Sequence, residues 1–427
     1  MGGAFPDFPA PNRGIAAGGV RLGGVKVLVV GSGGREHALA WRLAADEGVD
    51  EVHAAPGNPG IAAIATCHPV RAEDAEGLLS LCLERGIDLV VVGPEAPLVA
   101  GLADVLRRGG VSVFGPSAGA ARIEGSKRFA KDVMRAAGVP TAAELPEPRA
   151  PCVVKADGLA AGKGVFVCRT QAEADEAWER AGALGTGVLA EELLEGEEVS
   201  VFALCDGSRA VPLPTARDAK RLLDGDEGPN TGGMGAYSPV PGIDADELAA
   251  RIHEPVLAEL ARLDTPFVGL LYAGLILTDD GPRVLEFNCR FGDPETQAVL
   301  PVLDGPFAEP LARAAAGDLG DTSFPEPERA AVTVVLASPG YPESPETGAA
   351  IDGLEEAESD DALVFHAGTA LRDGSLVAAG GRVLGVTGVG ASASEARDRA
   401  YAAVESIRFP GAQYRRDIAA GAVHVAT

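Results

Sequence analysis

The chain has 427 residues, which is enough for about three domains, each with a core of its own. Hydrophobic residues make up 46% and charged residues 23%, and this composition argues against a disordered or fibrous protein. A formal net charge of −26 predicts a surface that repels nucleic acid and anionic membranes. It does not argue against phosphate ligands, because backbone N–H groups and a few Lys or Arg can reverse the sign inside a cleft.

The apolar runs, the cysteines and the histidines exclude further classes of protein. The longest apolar runs have the length of a strand and are far too short to cross a membrane. The six cysteines contain no C-x-x-C pair, and neither they nor the six histidines form a zinc-binding pattern. We therefore interpret the cysteines as buried, reduced thiols of a cytoplasmic protein.

The first 24 residues differ from the rest of the chain. They are rich in Gly, Pro and Ala and have neither the cationic start nor the apolar stretch of a secretory signal. We predict a disordered extension over residues 1–24, and a start codon chosen in error explains these residues equally well.

Strands and helices alternate from residue 25 to about residue 124. This alternation implies right-handed βαβ units and a parallel sheet. We predict an open α/β domain over 25–124 whose ligand site lies at the carboxyl ends of the strands. The predicted strands are 25–30, 51–57, 87–95 and 111–117, and the predicted helices are 35–46, 74–85 and 98–107.

Two further blocks follow, at about 125–319 and 325–423. The first begins with a predicted helix at 127–137, and a strand at 152–158 follows a Pro-rich link. Near its end, two apolar strands flank a turn at 279–281 and predict a hairpin. The last block has short strands, Gly-rich turns and one predicted helix at 392–407.

A glycine-rich segment, KADGLAAGKG (155–164), lies between two predicted strands. Its glycines let backbone N–H groups approach phosphate oxygens closely, and Lys155 and Lys163 add positive charge. The spacing matches neither a P-loop nor a dinucleotide-binding crossover. An ordinary glycine-rich hairpin is the alternative, but lysines at both ends favour a phosphate site.

Two other segments carry candidate ligands. EELLEGEE (191–198) follows an apolar strand, and it is either a solvated turn or a hinge that offers backbone groups to adenine and a carboxylate to ribose. In LEFNCR (285–290), strand alternation places Glu286, Asn288 and Arg290 on one face. A carboxylate and an amide oxygen suit Mg²⁺, although a half-buried strand edge explains this segment equally well when it is taken alone.

Together these segments resemble the ATP-grasp superfamily, whose ATP lies between two subdomains. Longer strings resemble one family within it, the phosphoribosylamine–glycine ligases (glycinamide ribonucleotide synthetases), and they span residues 25–418 in the order of that family. Two of them, GPNTGGMGAYSP and EFNCRFGDPETQ, distinguish that family from other ATP-grasp enzymes. The strings are GSGGREHALAW (31–41), GPEAPL (93–98), FGPS (114–117), EGSK (124–127), KADGLAAGKGV (155–165), GPNTGGMGAYSP (228–239), YAGL (272–275), EFNCRFGDPETQ (286–297), FHAGT (365–369), GGRVL (380–384) and YRRDI (414–418).

The resemblance implies a multidomain chain of α/β and α+β class. The N-terminal open parallel α/β domain would be followed by a central ATP-grasp domain over 125–319, with a small lid subdomain at about 127–194. A C-terminal mixed α/β domain would cover 325–423.

The resemblance also implies roles for individual residues. The ATP site would comprise Lys127, Lys155, Gly158, Gly162, Lys163, Gly164, Glu191, Glu192, Leu194 and Glu198; the Mg²⁺ or Mn²⁺ ligands would be Glu286 and Asn288; the site of phosphoribosylamine and glycine would comprise Gly33, Gly34, Arg35, Glu36, Glu95, Gly115, Lys220, Asn230, Pro294 and Glu295; and the catalytic residues would be Lys155, Asp218, Arg290 and Asp293.

The GSGG turn (31–34) lies between a predicted strand and a predicted helix. It lacks the third glycine of a nucleotide-binding crossover at the usual spacing. We predict that the turn and the helix start hold the 5-phosphate of the substrate instead.

The chain departs from the family at two places. The family usually shows SQDHKR where this chain has ARDAKR (216–221), so Ala219 replaces a histidine and we assign no acid–base role there. Only nine Pro-rich residues (142–150) stand where the family has a helix, and 166–190 is also short. We predict a trimmed lid, which affects its motion more than the chemistry.

The implied reaction joins glycine to 5-phosphoribosylamine through glycyl phosphate, giving glycinamide ribonucleotide, ADP and phosphate in purine biosynthesis. No covalent enzyme nucleophile is needed. The alternatives are another ATP-grasp ligase acting on a different acid, and a nucleotide-binding regulatory protein without turnover, against which the intact Glu286, Asn288 and Arg290 argue. We expect a cytoplasmic monomer that acts on small molecules, with neither nucleic acid nor membrane as a partner.

Overall fold

The computed structural model describes residues 24–159, 164–184 and 187–422. The predicted extension up to residue 23 and the loop residues Gly162 and Lys163 lie outside the described residues. Within the described part of the chain, no helix has both the length and the apolar character needed to cross a bilayer.

The N-terminal region is an open parallel sheet with helices on its faces. Its strands run in the order β3–β2–β1–β4–β5, and all neighbours are parallel. The elements are β1 (Val25–Gly31), α1 (Gly34–Ala44), β2 (Val49–Pro56), β3 (Thr66–Cys67), α2 (Ala75–Arg85), β4 (Leu89–Val92), α3 (Glu95–Val99), α4 (Leu102–Arg108), β5 (Ser112–Phe114) and α5 (Ala118–Gly125).

The alternation of strands and helices predicted from residue 25 is confirmed. Strands β1 and β4 are buried on both sides, as expected for central strands of a parallel sheet. One helix prediction is wrong. The helix expected over 98–107 is two helices, α3 and α4, because Gly101 between them adopts φ +93°, a left-handed conformation that interrupts a right-handed helix.

The described residues of the central region form two four-stranded antiparallel sheets and a two-stranded ribbon of β13 and β14. One has the order β6–β9–β7–β8 and is covered by α7, and the other has the order β11–β10–β16–β17. The elements are α6 (Lys127–Ala137), β6 (Glu144–Leu145), β7 (Cys152–Ala156), β8 (Val165–Cys168), α7 (Gln171–Ala183), β9 (Val188–Glu192), β10 (Glu197–Asp206), β11 (Ala210–Pro212), β12 (Arg217–Asp218), β13 (Arg221–Leu223), β14 (Glu227–Asn230), β15 (Gly235–Ser238), α8 (Ala245–Leu248), α9 (Glu254–Arg262), β16 (Val268–Thr278), β17 (Gly281–Asn288), α10 (Glu295–Val299) and α11 (Ala308–Ala315).

Two local predictions in this region are confirmed. Strands β16 and β17 form the hairpin expected around residues 279–281. Residues 142–150, all of which the structure describes, hold the two-residue strand β6 and no helix. The smaller sheet and α7 form a separate small core, which fits the predicted lid.

A third sheet joins the central and C-terminal regions. Its order is β12–β15–β18–β22–β19, so strands from residues 217–238 pair with strands from beyond residue 329. Helix α13 packs on β18 and β22. The C-terminal elements are β18 (Ala330–Ala337), α12 (Leu354–Ala357), β19 (Ala362–His366), β20 (Thr369–Arg372), β21 (Ser375–Ala378), β22 (Arg382–Gly390) and α13 (Ala393–Ser406).

Candidate active site

A cavity of about 380 Å³ lies where the three regions meet. Its walls come from the starts of α1 and α3, the end of α5, one face of α6, the two four-stranded central sheets and the start of β22. Most residues predicted from the sequence to carry chemistry share this cavity. Those that line it are Arg35, Glu95, Lys127, Lys155, Gly158, Gly164, Glu191, Asp218, Glu286, Asn288, Arg290, Asp293 and Glu295.

The start of α6 is tied to the glycine-rich loop. Ser126 caps the helix by accepting a hydrogen bond from the N–H of Phe129 (3.2 Å). The carboxylate of Asp157 accepts from the N–H groups of Lys127 (2.7 Å) and Gly158 (3.1 Å). The ammonium of Lys127 donates to the carbonyl oxygen of Gly158 (3.1 Å). Lys127 therefore lies against the loop predicted to hold phosphate.

A buried charge cluster lies beside this loop. Glu191 Oε2 is 2.7 Å from Lys155 Nζ, and Glu191 Oε1 is 3.0 Å from Lys131 Nζ. All three side chains are buried, and Lys155 also donates to the carbonyl oxygen of Leu285 (3.0 Å). Glu191 is thus part of an ion-pair network and not of a solvated turn. We call Lys127, Lys131, Lys155 and Glu191 the lysine side of the cavity.

The lysine side holds more positive than negative charge. Burial lowers the pKa of Lys127, and the neighbouring charge of Lys155 lowers it further. Burial also lowers the pKa of Lys131, although Glu191 opposes this. Crowded, partly desolvated ammonium groups favour a bound polyanion, which would relieve their mutual repulsion.

The acidic centre of the cavity is formed around Glu286. Burial alone would raise the pKa of Glu286, but Lys220 and Lys155 hold it below its usual value, so this carboxylate is ionised at neutral pH. Asp218 behaves differently, since burial raises its pKa to about 7 even though Lys220 Nζ lies 4.0 Å from its Oδ1. The amide oxygen of Asn288 accepts from Arg290 Nη2 (3.2 Å) and lines the same cavity.

Arg290 connects this centre to the N-terminal region. Its Nε lies 3.3 Å from Glu95 Oε2, and its Nη2 lies 3.4 Å from Glu124 Oε1. Glu124 also accepts from the N–H of Cys289 (2.7 Å). Burial raises the pKa of Glu124, although Arg290 opposes this.

Two more arginines on the cavity wall have carboxylate partners. Arg35 Nε donates to Glu36 Oε1 (2.6 Å), and Arg382 Nη2 lies 2.7 Å from Asp293 Oδ2. We use the name arginine side of the cavity for three arginines and the carboxylates that they contact. These residues are Arg35, Arg290 and Arg382 with Glu36, Glu95, Glu124 and Asp293.

Family models match consecutive parts of the chain. The N domain of phosphoribosylglycinamide synthetase matches residues 25–124, its ATP-grasp (A) domain matches 125–296, and its C domain matches 331–421. The chain belongs to the phosphoribosylglycinamide synthetase family. The resemblance noted in the sequence and the three-part ATP-grasp architecture are thereby confirmed.

Individual members of the synthetase family match along most of their length. The phosphoribosylamine–glycine ligase of Streptomyces coelicolor is 53% identical over 420 residues, which cover 93% of this chain and 99% of that protein. The ligase of Mesorhizobium japonicum is 49% identical, covering 92% and 97%. The crystal structure of the Thermotoga maritima ligase is 38% identical with a TM-score of 0.80, covering 92% of this chain and 100% of that one.

The fold is shared more widely than the family. The biotin carboxylase domain of the Hydrogenobacter thermophilus 2-oxoglutarate carboxylase is 19% identical, with a TM-score of 0.68 and 91% of each chain covered. At this identity the likeness concerns the fold alone.

Some residues that the family resemblance implied lie beside the cavity and do not line it. The carboxylate and the N–H of Glu192 are bonded to Ala143 (2.8 and 3.0 Å), and the carboxylate of Glu198 contacts Lys220 Nζ. The carbonyl oxygen of Gly115 accepts from Arg107 (2.6 Å). The predicted residues outside the lining are Gly33, Gly34, Glu36, Gly115, Glu192, Leu194, Glu198, Lys220, Asn230 and Pro294.

The GSGG turn is packed around Glu36. The N–H of Gly33 donates to the carboxylate of Glu36 (2.5 Å). A Cβ at Gly34 would lie 2.7 Å from Gln297 Nε2, so Gly34 packs closely against that side chain. The turn also faces Asp293, whose Oδ2 would lie 3.8 Å from a Cβ at Gly33. Binding of the 5-phosphate at this turn stays a prediction.

Four cavity residues with ionisable side chains were not singled out from the sequence. Glu124, Tyr272 and Arg382 lie inside strings that matched the family, but no role was assigned to them. Lys131 lies one helical turn after Lys127 on α6, and this four-residue spacing on one helix face was the available signal. In the ARDAKR segment, the backbone of Ala219 bonds to Gly235 and Met234, and its side chain packs against the main hydrophobic core.

Proposed function

We propose that this chain joins glycine to 5-phosphoribosylamine and converts ATP to ADP and phosphate, which gives glycinamide ribonucleotide. The observation that carries the proposal is the single cavity in which Lys127 and Lys155 meet Glu286 and Arg290. The end-to-end match to named phosphoribosylamine–glycine ligases supports the choice of acid and amine. The product is an intermediate on the way to purine nucleotides.

The reaction needs ATP because a carboxylate is a poor acyl donor. We propose that glycine first takes the γ-phosphoryl group, so that the leaving group of the second step is phosphate. The amine of phosphoribosylamine then attacks the acyl carbon of glycyl phosphate, and an amide bond forms as the phosphate leaves. Lys127 and Lys155 would neutralise the phosphoryl oxygens, and Arg290 would stabilise negative charge on the acyl side.

Positioning contributes the remainder of the proposed rate enhancement. Lys155 is buried and held by Glu191 and by the carbonyl oxygen of Leu285, so its ammonium has little freedom before ATP arrives. Because this group is already fixed before the substrates bind, the entropy cost of reaching the transition state is smaller.

Glu286 and Asn288 fit a divalent cation, Mg²⁺ or Mn²⁺. Glu286 is ionised, and both side chains present hard oxygen atoms to the same cavity. Such ions often take only one or two protein ligands and complete their coordination with water and phosphate oxygens. When bound, the ion would supply positive charge to the phosphoryl oxygens.

The test is a phosphate-release assay with two substrates. Phosphoribosylamine is generated in the cuvette from ribose 5-phosphate and ammonia, and phosphate is measured with and without glycine. We expect release only when ATP, glycine and phosphoribosylamine are all present, with one amide formed for each phosphate. Equal turnover with another amino acid would remove the glycine assignment, and ATP binding without turnover would favour a regulatory protein.

The domain boundaries at about residues 125 and 320, the monomeric state and the cytoplasmic location stay predictions. Light scattering on the purified chain, whose mass is 43.4 kDa, tests the monomer. Limited proteolysis tests the boundaries, since exposed linkers are cut first.

A further inference from the structure

Arg382 brings the C-terminal region to the cavity. Among the described residues that line the cavity, it alone comes from beyond residue 330. Its Nη2 pairs with the carboxylate of Asp293 (2.7 Å), and its Nη1 donates to the carbonyl oxygen of the same residue (2.8 Å). Arg382 therefore holds Asp293 by both its side chain and its backbone.

The same guanidinium also holds a second cavity wall. Arg382 Nη1 contacts the carbonyl oxygen of Gly232 and lies 3.4 Å from that of Gly233. The N–H of Gly232 donates to Tyr341 Oη (2.9 Å). Both polar backbone groups of Gly232 are thus bonded to side chains of the C-terminal region.

The two walls are packed against each other at Gly233. This residue adopts φ +105°, and a Cβ there would lie 2.4 Å from Pro294 Cδ and 3.6 Å from Arg382 Nη1. Only glycine fits this position. The turn 231–234 and the Asp293–Pro294 segment therefore have one relative placement, with Arg382 between them.

The base of Arg382 is fixed by the third sheet. Arg382 is the first residue of β22, which is paired on both sides and covered by α13. The turn 231–234 leads into β15 of the same sheet, separated from β22 only by β18. A planar guanidinium bridging several oxygens is a rigid connection that an ammonium cannot reproduce.

We propose that Arg382 is a positioning residue for the amine substrate: it sets the turn 231–234 and Asp293 relative to each other and thereby shapes the arginine side. The location supports the amine and not ATP, because Asp293 faces the GSGG turn, which is predicted to bind phosphoribosylamine, and Arg382 contacts none of Lys127, Lys131 and Lys155 in the described structure. The identity of this amine as phosphoribosylamine rests on the proposed function.

The test compares Arg382→Met and Arg382→Lys with the unmodified chain by steady-state kinetics. We expect Arg382→Met to lower kcat/KM for phosphoribosylamine by about 10²-fold, since a small misplacement of a reacting group has effects of this order. The KM for ATP should change less than about twofold. Arg382→Lys keeps a positive charge for Asp293, but its ammonium cannot bridge the carbonyl oxygens of residues 232 and 293. We therefore expect it to recover only a minor part of the kcat/KM lost in Arg382→Met.

Arg399 offers the matched control. It lies in the same region, pairs with Asp361 (3.2 Å) and Glu395 (2.8 Å), and contacts a carbonyl oxygen of β22, but it does not line the cavity. Arg399→Met should therefore lower stability to a similar extent while leaving both kinetic constants unchanged. If Arg382→Met behaves like Arg399→Met, or raises the KM for ATP as much as that for the amine, the positioning role is refuted.

Hydrogen exchange separates this inference from the proposed reaction. Arg382→Met should speed exchange of the amides at residues 232–235 and leave those of β7 and β9 unchanged, whichever acid and amine the enzyme uses. Unchanged exchange at 232–235 would overturn the inference even if the unmodified chain makes glycinamide ribonucleotide. Absent product with changed exchange would overturn only the proposed function.

Discussion

The lysine side and the arginine side of the cavity balance their charges differently. On the lysine side, Lys131 and Lys155 share the carboxylate of Glu191, while Lys127 contacts a carbonyl oxygen. On the arginine side every guanidinium contacts at least one carboxylate, and Arg290 contacts two. The carboxylates are Glu36 for Arg35, Glu95 and Glu124 for Arg290, and Asp293 for Arg382.

This difference matches two kinds of ligand. Ammonium groups in excess over carboxylates attract a polyphosphate, because the bound anion relieves their repulsion. Guanidinium groups that are already neutralised have little net attraction for a second anion, but their carboxylates can accept hydrogen bonds from hydroxyl and amine groups. We infer that ATP binds to the lysine side and that the sugar and amine of the second substrate bind to the arginine side.

The largest effect on turnover is expected at Glu286, whose carboxylate interacts electrostatically with lysines of the lysine side and with Arg290 of the arginine side. Its pKa is held low by Lys220, Lys155 and Lys127 and also by Arg290, against the effect of burial. Glu286→Ala removes a proposed metal ligand, and we expect turnover to fall by about 10³-fold or more. Phosphate release measures this loss, and circular dichroism with thermal unfolding checks that the fold is intact. Undiminished turnover in a folded variant would remove the metal assignment.

The next effect tests whether the lysine side depends on its one shared carboxylate. Glu191→Gln removes the carboxylate that pairs directly with the buried ammonium groups of Lys131 and Lys155, and we expect a loss of about 3 kcal/mol in the free energy of unfolding. Urea unfolding measures this loss.

Glu144→Gln is the control for Glu191→Gln, because the carboxylate of Glu144 on neighbouring β6 is 39% exposed and its ion pairs with Arg128 and Arg135 are long (3.7 and 3.8 Å). It should change stability by less than about 1 kcal/mol. Equal losses in the two variants would contradict a buried network.

The contrast between the two sides was only partly visible in the sequence. Strand and helix alternation and the hairpin at 279–281 follow from local patterns, so they could be predicted. The third sheet could not, because β15 pairs with a strand almost a hundred residues later and local patterns do not encode the partner of a strand. Gly101 looked like one more residue of a helix, and only its positive φ divides that helix in two.

The same limit applies to single site residues. Lys155 and Glu286 lie in motifs whose residue types point to phosphate and metal, so the sequence led to them. Glu191 lies in an acidic run that resembled a solvated turn, and its burial follows from lysines on another strand and on a helix. Arg382 could not be assigned because its partners lie 89 and 150 residues earlier in the chain.

A smaller effect is expected on the arginine side. Glu95→Gln removes one of two carboxylates at Arg290 and a proposed acceptor for the second substrate, so kcat/KM for phosphoribosylamine should fall about tenfold. The KM for ATP should stay within about twofold, because Glu95 contacts none of the three lysines in the described structure. Initial rates measured while each substrate is varied in turn show whether the loss is confined to phosphoribosylamine. A rise in the KM for ATP as large as that for the amine would mean that the two sides do not act separately.

The smallest effect concerns the pH dependence of the lysine side. Burial, reinforced by the charge of Lys155, lowers the pKa of Lys127, so its positive charge is lost at a lower pH than that of an ordinary lysine. Because only the charged form attracts ATP, the KM for ATP should rise as the pH increases toward this lowered pKa. Lys127→Arg keeps its charge throughout this range, so the rise should move to higher pH and the KM at alkaline pH should be about twofold to threefold lower than that of the unmodified chain.

Lys131→Arg is the matched comparison for that pH profile, because burial also lowers the pKa of Lys131. Lys131 Nζ pairs directly with Glu191 (3.0 Å), and we expect this pair to keep its charge to a higher pH than Lys127, whose lowered pKa is opposed by Glu286, Asp157 and Glu124. The rise in the KM for ATP should therefore move with the Lys127 substitution and not with the Lys131 substitution. The opposite result would mean that the carboxylate of Glu191 does not keep its lysines charged, and the lysine side would then bind ATP through different groups at different pH.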